Sequence, residues 1–364
     1  MTSTLPTVLL IPTGIGCAQG GFAGDALPSA RLLAAASGCL ITHPNVMNGA
    51  SLYWNDSRIQ YLEGYGLDRF LVGSLALRSV RQQKVGLLLD AGIEANLRER
   101  HLHVAEGCRA TLGLNIGPIL TTEAPLEISL DQGSSGISWG GLSQVDVLLR
   151  AGEKLKQAGA TAIAVVTRLP DSFSNMSLEK YRKGEGVDAI SGAEAVISHL
   201  LVRHLWLPCA HAPAMSALPV APELDPRAAA EEIGHTFLPS VLVGLSRAPD
   251  LISLEKDILS QDFQNSQMIY SEQLGAVVVP QGALGGEGVL AAIERKIPLI
   301  VVSNPNLLNV STETLGLRDD KLLNERISVM YAMNYVEAAG LILLLREGIS
   351  KDSLYRPIAH IHEV

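Results

Sequence analysis

The sequence predicts an α/β protein, with mostly parallel sheets, helices on both faces and two Rossmann-like lobes. Three observations carry this. Short β-branched apolar runs alternate with longer Ala/Leu-rich stretches of helical spacing. The runs are continuously apolar, as in parallel strands covered on both sides. Two glycine-rich connections, 13–25 and 281–288, each lead from such a strand toward a helix.

Taken in order, Thr7 to Ile11 reads as the first strand, Ala26 to Ser37 as a helix and Cys39 to Thr42 as a short strand. Val85 to Asp90 is a further strand, followed by a helix within Ala91 to Leu112 whose early Glu94 and later Arg98 and Arg100 suit the helix dipole. Val145 to Gln157 is helical and stops at Gly159 before the strand Ala162 to Thr167. The polar stretch Pro170 to Gly186 is a loop or a link, which suggests lobes of residues 1–170 and 171–364. Proline-rich Leu218 to Pro226 is a second break. Beyond it, Ser240 to Gly244, Ala276 to Pro280 and Leu299 to Ser303 read as strands. Gly192 to Leu205, Arg227 to Gly234, Val289 to Lys296 and Glu325 to Glu347 read as helices.

Composition limits the function. At 364 residues with 47% hydrophobic and 18% charged residues, the chain can bury a large core. A net charge of −9 and 4% aromatic content argue against nucleic acid as a partner. The apolar stretches fall short of a membrane span, and Thr7 to Ile11 lacks the basic flank of a signal peptide. Cys17, Cys39, Cys108 and Cys209 form no CxxC, so a reducing, cytoplasmic setting is expected. A homo-oligomer stays open.

Several strings are specific: Ile11-Pro12-Thr13-Gly14-Ile15-Gly16-Cys17, Gly20-Gly21-Phe22-Ala23-Gly24-Asp25-Ala26 and Leu40-Ile41-Thr42-His43-Pro44-Asn45-Val46-Met47-Asn48. Further on stand Ile190-Ser191-Gly192-Ala193-Glu194-Ala195-Val196-Ile197-Ser198-His199, Cys209-Ala210-His211-Ala212-Pro213 and Leu284-Gly285-Gly286. Through these the chain resembles the DUF3326 family, uncharacterised proteins common in cyanobacteria, over essentially its whole length. The resemblance implies no activity, so function rests on the residues.

In the first glycine loop, Gly14, Gly16, Gly20, Gly21 and Gly24 leave room for backbone N–H groups to converge on an anion, with Thr13 and Asp25 at its ends. The loop matches neither GxGxxG nor GxxxxGK[ST], so neither NAD nor ATP is inferred and no cofactor is assigned. Asp25 is a helix cap or a site carboxylate. His43, at a strand's C-terminal end, is a candidate acid or base, with Asn45 and Asn48 orienting a substrate. Glu194, His199, His204, Cys209 and His211 form the densest cluster of reactive residues; Glu194 and His211 are the catalytic candidates, with His211 expected in a loop. No metal is assigned, since HExxH and CxxC are absent, although Glu194, His199, Cys209 and His211 leave that question open. The second loop offers Gly285 and Gly286, then Asn304, while Arg247 is the basic group expected beside an anion. Glu287 holds a ribose hydroxyl or complements the helix dipole.

These features suggest an enzyme acting by acid/base chemistry on a small anionic metabolite between the two loops. The alternatives are a GT-B-like nucleotide-sugar transferase and a non-catalytic metabolite-binding or regulatory protein.

Overall fold

The computed structural model describes residues 4–49, 55–132, 138–171, 175–232, 237–254, 268–305, 309–317, 328–354, 356–358 and 360–361. The first half runs β1 (Thr7–Leu9), α1 (Leu27–Ser37), β2 (Leu40–Thr42), α2 (Pro44–Met47), β3 (Ile59–Tyr61), α3 (Gly64–Val72), β4 (Leu75–Arg78), β5 (Val85–Leu89), α4 (Ala95–Leu112), β6 (Ile116–Thr121), β7 (Ile128–Gln132), β8 (Ser138–Leu142), α5 (Val145–Gln157) and β9 (Ala162–Arg168). It continues through α6 (Asn175–Arg182), α7 (Ser191–Leu205), β10 (Cys209–Ala214), α8 (Pro226–Glu232), α9 (Leu238–Leu245), β11 (Asp250–Ser253), β12 (Met268–Ile269), β13 (Ala276–Pro280), α10 (Glu287–Glu294), β14 (Leu299–Val302), β15 (Val329–Ala332) and α11 (Tyr335–Glu347).

The protein is α/β, built around two parallel sheets. The six-stranded sheet has the order β15-β14-β13-β1-β2-β3, and the four-stranded sheet has the order β10-β9-β5-β6. A short antiparallel sheet, β11-β4-β12, and the β7-β8 hairpin complete the strands among the described residues. In each parallel sheet the chain order reverses direction, next to β1 in one and next to β5 in the other, and such switch points open crevices at the strands' C-terminal ends.

Side-chain alternation shows how the four-stranded sheet is covered. Val85, Leu87, Leu89, Ala162, Ala164, Val166, Ala210 and Ala212 share one core with α4 and α9. Their neighbours Leu88, Ile163, Val165 and Cys209 face α5 and α7. On the six-stranded sheet, α1 and α11 pack on each other and on β2 and β14. Helix α3 packs on α10 and reaches α7, so one hydrophobic cluster runs from Val8, Ile41 and Val278 to Leu88, Ile163 and Val165. Both sheets take strands from either side of residue 170. A cut there runs through both.

Four expectations are corrected by tertiary context. Ser240 to Gly244 lies in helix α9: its continuous apolar run fits a buried strand or a buried helix alike, and Pro239 in the first turn starts the helix. Of the helix expected over Glu325 to Glu347, residues 325–327 lie outside the described set and the rest divides into β15 and α11, where Asn334 caps α11 by accepting from Val336 and Glu337 N–H, each at 3.0 Å. His211 lies inside β10, paired opposite Val165, and not in a loop. The polar stretch from Pro170 contains α6, with residues 172–174 outside the described set.

Gly21 approaches the Cys17 carbonyl so closely that a Cβ would overlap it, whereas Gly107, within α4, has open space around its Cβ position. Gly21→Ala is therefore expected to destabilise the protein by at least about 1 kcal/mol, and Gly107→Ala to stabilise it by roughly 0.5–1 kcal/mol. Urea denaturation checks both; equal midpoints for the two variants would contradict the packing described for the loop.

Candidate functional site

The loops that follow β1, β2 and β3 meet one face of the four-stranded sheet around a cavity of about 260 Å³. At its floor, Ile11 N–H donates to Nε2 of His43 at 3.0 Å. Burial pushes the His43 imidazole down to about 4. A neutral ring that accepts at Nε2 carries its proton on Nδ1, and that N–H has no partner among the described residues. Pro44 follows at the first position of α2, which holds His43 in extended backbone. The Asn48 carbonyl accepts from the Tyr61 hydroxyl at 2.9 Å, and its Nδ2 likewise has no partner among the described residues. Asn45 donates to the carbonyls of Gly20, at 2.9 Å, and Ile11, at 3.4 Å, and accepts from the Thr13 hydroxyl at 3.5 Å, pinning the first glycine loop.

The opposite wall comes from β10 and α7. Residue parity turns His211 toward α7, where Nδ1 lies 3.1 Å from Glu194, in the first turn of that helix. Its Nε2 lies 2.7 Å from the Thr167 hydroxyl. Carboxylate, imidazole and hydroxyl thus follow the order of a catalytic triad. Thr167 is fully buried, however, and lies outside the cavity lining, so its hydroxyl holds the ring and does not face the cavity. When that hydroxyl donates to Nε2, the ring proton sits on Nδ1 and faces Glu194.

Carboxyl groups from other elements complete the cavity. Glu63 caps α3 by accepting from Tyr65 N–H at 2.8 Å, and burial pushes it up to about 8. Asp188 accepts from Ile190 N–H at 3.0 Å and is pushed up to about 7 by burial and then by Glu194. Glu231 accepts from the Tyr181 hydroxyl at 2.7 Å and from Ala23 N–H, and burial and then Asp188 push it well above the usual range. Asp68 accepts from Gly288 N–H at 3.0 Å and rises to about 6 through burial. No lysine or arginine is among the described lining residues.

A family described as "Protein of unknown function (DUF3326)" matches residues 6–355. The chain belongs to the DUF3326 family. It is also 47% identical, over 351 residues, to a protein of Synechococcus sp. named an uncharacterized lipoprotein, covering 96% of this chain and 93% of that one.

In this DUF3326 chain, Thr13, His43, Asn45, Asn48, Glu194 and His211 all line the one cavity. The loop glycines Gly14, Gly16, Gly20 and Gly24 adopt positive φ, and they and Gly21 lie outside the lining. Several loop N–H groups are taken by the protein's own acceptors: Ala18 donates to Asn304 Oδ1 at 2.7 Å, Gly20 to Asp25, Ala23 to Glu231 and Gly24 to the Asn45 carbonyl at 3.2 Å. Asp25 therefore braces the loop, while Ala26 occupies the cap position of α1; burial pushes Asp25 up to about 6. Arg247 lines a separate cavity beside Tyr61 and Arg81. Gly285 approaches Val310, Gly286 caps α10, and Glu287 pairs with Arg69, all outside the lining. His199 sits edge-on to Tyr65, His204 bonds Glu153 at 2.6 Å, and Cys209 donates to the Leu207 carbonyl at 3.3 Å. Among the described residues, no three His, Cys, Asp or Glu side chains are arranged to hold a metal ion.

Sequence reasoning missed Glu63, Asp68, Asp188 and Glu231. Glu63 had a local signal, an acidic residue directly before a helix, but nothing in the sequence joins it to His211.

Because Glu63 is raised from 4.5 to about 8 on folding, its contribution to stability is complete below pH 4.5 and is lost as pH rises through 8. Between pH 5 and 8 this group is expected to contribute a loss of up to about 1.4 kcal/mol per pH unit, which Glu63→Gln removes. Urea titrations across that range check it; the same slope in wild type and variant would show that Glu63 titrates as an ordinary exposed acid.

Proposed function

We propose that this protein is an enzyme performing proton transfer on a small polar metabolite in the cavity between its two sheets. The observation that carries the reading is a Glu194–His211 pair facing the same cavity as two neutral N–H donors, His43 Nδ1 and Asn48 Nδ2. Both ring nitrogens of His211 are engaged, so Glu194, whose side chain is 26% exposed, is the group that removes the proton. His211 positions it and supplies a compensating N–H. His43 and Asn48 hold the substrate oxygen on which negative charge develops, and a neutral imidazole does this without the cost of burying an imidazolium. The anionic ligand expected from the glycine loops fits poorly with a lining rich in carboxyls and free of lysine and arginine. The two separate parallel sheets agree with the nucleotide-sugar alternative, but the Gly285 loop on which it rested lies outside the cavity.

Untargeted mass spectrometry of a metabolite extract incubated with the protein in D2O tests this. Wild type is expected to convert or deuterate at least one metabolite, and Glu194→Gln to slow that at least 100-fold, the scale of a lost general base. An extract left unchanged by wild type, although a component binds, would establish the non-catalytic reading instead.

We also place the protein in the cytoplasm. A bacterial lipoprotein carries its lipid on the cysteine that follows a removed leader. The first cysteine in this sequence is Cys17, which is 3% exposed, with its thiol pushed up to about 12 by burial and then Asp25. Cleavage before it would delete β1, which lies between β13 and β2 in the six-stranded sheet. No helix among the described residues is long and apolar enough to cross a membrane. Intact-mass analysis of protein from its native cells is expected to show no lipid adduct and residues 6–16 still present; a lipidated chain starting at Cys17 would refute the placement.

A further inference from the structure

We infer that the cavity selects a small primary amine that also carries a hydroxyl or carbonyl oxygen. This rests on the reading of the cavity as the reaction site and names the substrate class it takes.

The charge balance is the first ground. Glu63, Asp68, Asp188, Glu194 and Glu231 reach the cavity from α3, α7, α8 and the segment before α7, and no described lysine or arginine lines it. Neighbouring cations are engaged elsewhere. Arg227 lies over the Phe22 ring at 4.5 Å, bonds Asp225 at 3.2 Å and the Gly184 carbonyl at 2.8 Å, and Arg69 pairs with Glu287. The groups facing Asp188 are Glu194, Glu231 and Tyr181; those facing Glu63 are Asp68, Tyr61, Cys209 and His199. Burial favours the protonated forms of Glu63, Asp188 and Glu231, and an ammonium group can replace those protons.

The second ground is independent of those acids. His43 and Asn48 are each 9% exposed, and each presents to the cavity an N–H with no partner among the described residues. Donors set this deep in a cavity are met by water or by an acceptor on a ligand. A metal ion would be repelled by them, and a second carboxylate would meet the field of the acids. An ammonium at one end and an uncharged oxygen at the other satisfies both sets. The volume of about 260 Å³ suits a ligand of only a few non-hydrogen atoms.

The tyrosine wall fixes the geometry of the acidic end. Phe22 stacks on Tyr181 with ring centroids 4.3 Å apart, and the Tyr181 hydroxyl donates to Glu231, so this carboxyl cannot swing away from the cavity without breaking the stack or the bond.

The test is calorimetry on the full chain with 2-aminoethanol and aminoacetone, against ethylene glycol, hydroxyacetone, glycolate and inorganic phosphate. At least one amine is expected to bind tenfold or more tighter than its hydroxyl counterpart, to tighten as pH rises from 6 to 8, and to release protons, seen as a binding heat that depends on the buffer's ionisation enthalpy. Asp188→Asn and Glu231→Gln, each checked for native circular dichroism, are expected to lose at least tenfold in amine affinity. Amines binding no better than their hydroxyl counterparts, or glycolate or phosphate binding best, would overturn the proposal. Turnover of a metabolite that lacks an amine rejects the ligand class and keeps the acid–base reading; amine binding with no conversion of any metabolite rejects that reading and keeps the ligand class.

Discussion

The hydrogen bond from Ile11 N–H to His43 Nε2 is the constraint on which the site depends. It joins the chain leaving β1 to the chain leaving β2, two adjacent strands of the larger sheet. It also decides chemistry. A buried backbone N–H demands an acceptor, and an imidazolium has none to offer, so the bond and the burial together keep His43 neutral. The proton is thereby assigned to Nδ1, which turns the ring from an acid or base into a donor of fixed direction. Thr42, one residue earlier, repeats the device by donating its hydroxyl to the Leu9 carbonyl at 2.9 Å, so the β1 and β2 ends are doubly tied.

Topology then explains why so many distant residues meet. β1 pairs with β13 on one side and β2 on the other, and its register, Thr7 with Ala276 and with Leu40, aligns their C-terminal ends. The loop after β1, the turn after β2 and the start of α3 after β3 emerge on the same edge. The smaller sheet presents β10 to that edge through α7, which packs on α3. Side-chain parity in β10 does the rest: Cys209 and His211 point toward α7, while Ala210 and Ala212 point toward α9. The strand is fully buried on both faces, which is why a histidine there needs both its partners.

Much of the fold was legible because parallel strands and amphipathic helices have strong local signatures. The strands at Thr7, Leu40, Val85, Ala162, Ala276 and Leu299 are continuous apolar runs with punctuated ends. The failures have a common physical cause. At Ser240 and at Cys209 the local sequence is short and apolar or broken by proline, and only packing decides between helix, strand and loop. The site was partly legible for the same reason: His43, Asn45 and Asn48 sit at a strand end, where ligands are expected, while Glu194 and His211 stood out as reactive residues close in sequence. Glu63, Asp188 and Glu231 carry no such mark, because their role comes from tertiary contact with residues more than a hundred positions away or from a segment that reads only as polar.

In the first glycine loop the backbone N–H groups find acceptors within the protein itself. Five glycines between a strand and a helix do bring backbone N–H groups to carboxylates, as that composition implies. Those carboxylates are the protein's own: Gly20 donates to Asp25 and Ala23 to Glu231. The Ala23 bond favours the charged form of Glu231, opposing the burial and the Asp188 charge that push its pKa up. The loop therefore offsets part of the cost of placing an acid at the cavity, and Asn304, which follows β14, holds the same loop by accepting from Ala18 N–H. The glycines thus act by arranging the protein's own charge, Asp25 within the loop and Glu231 at the cavity.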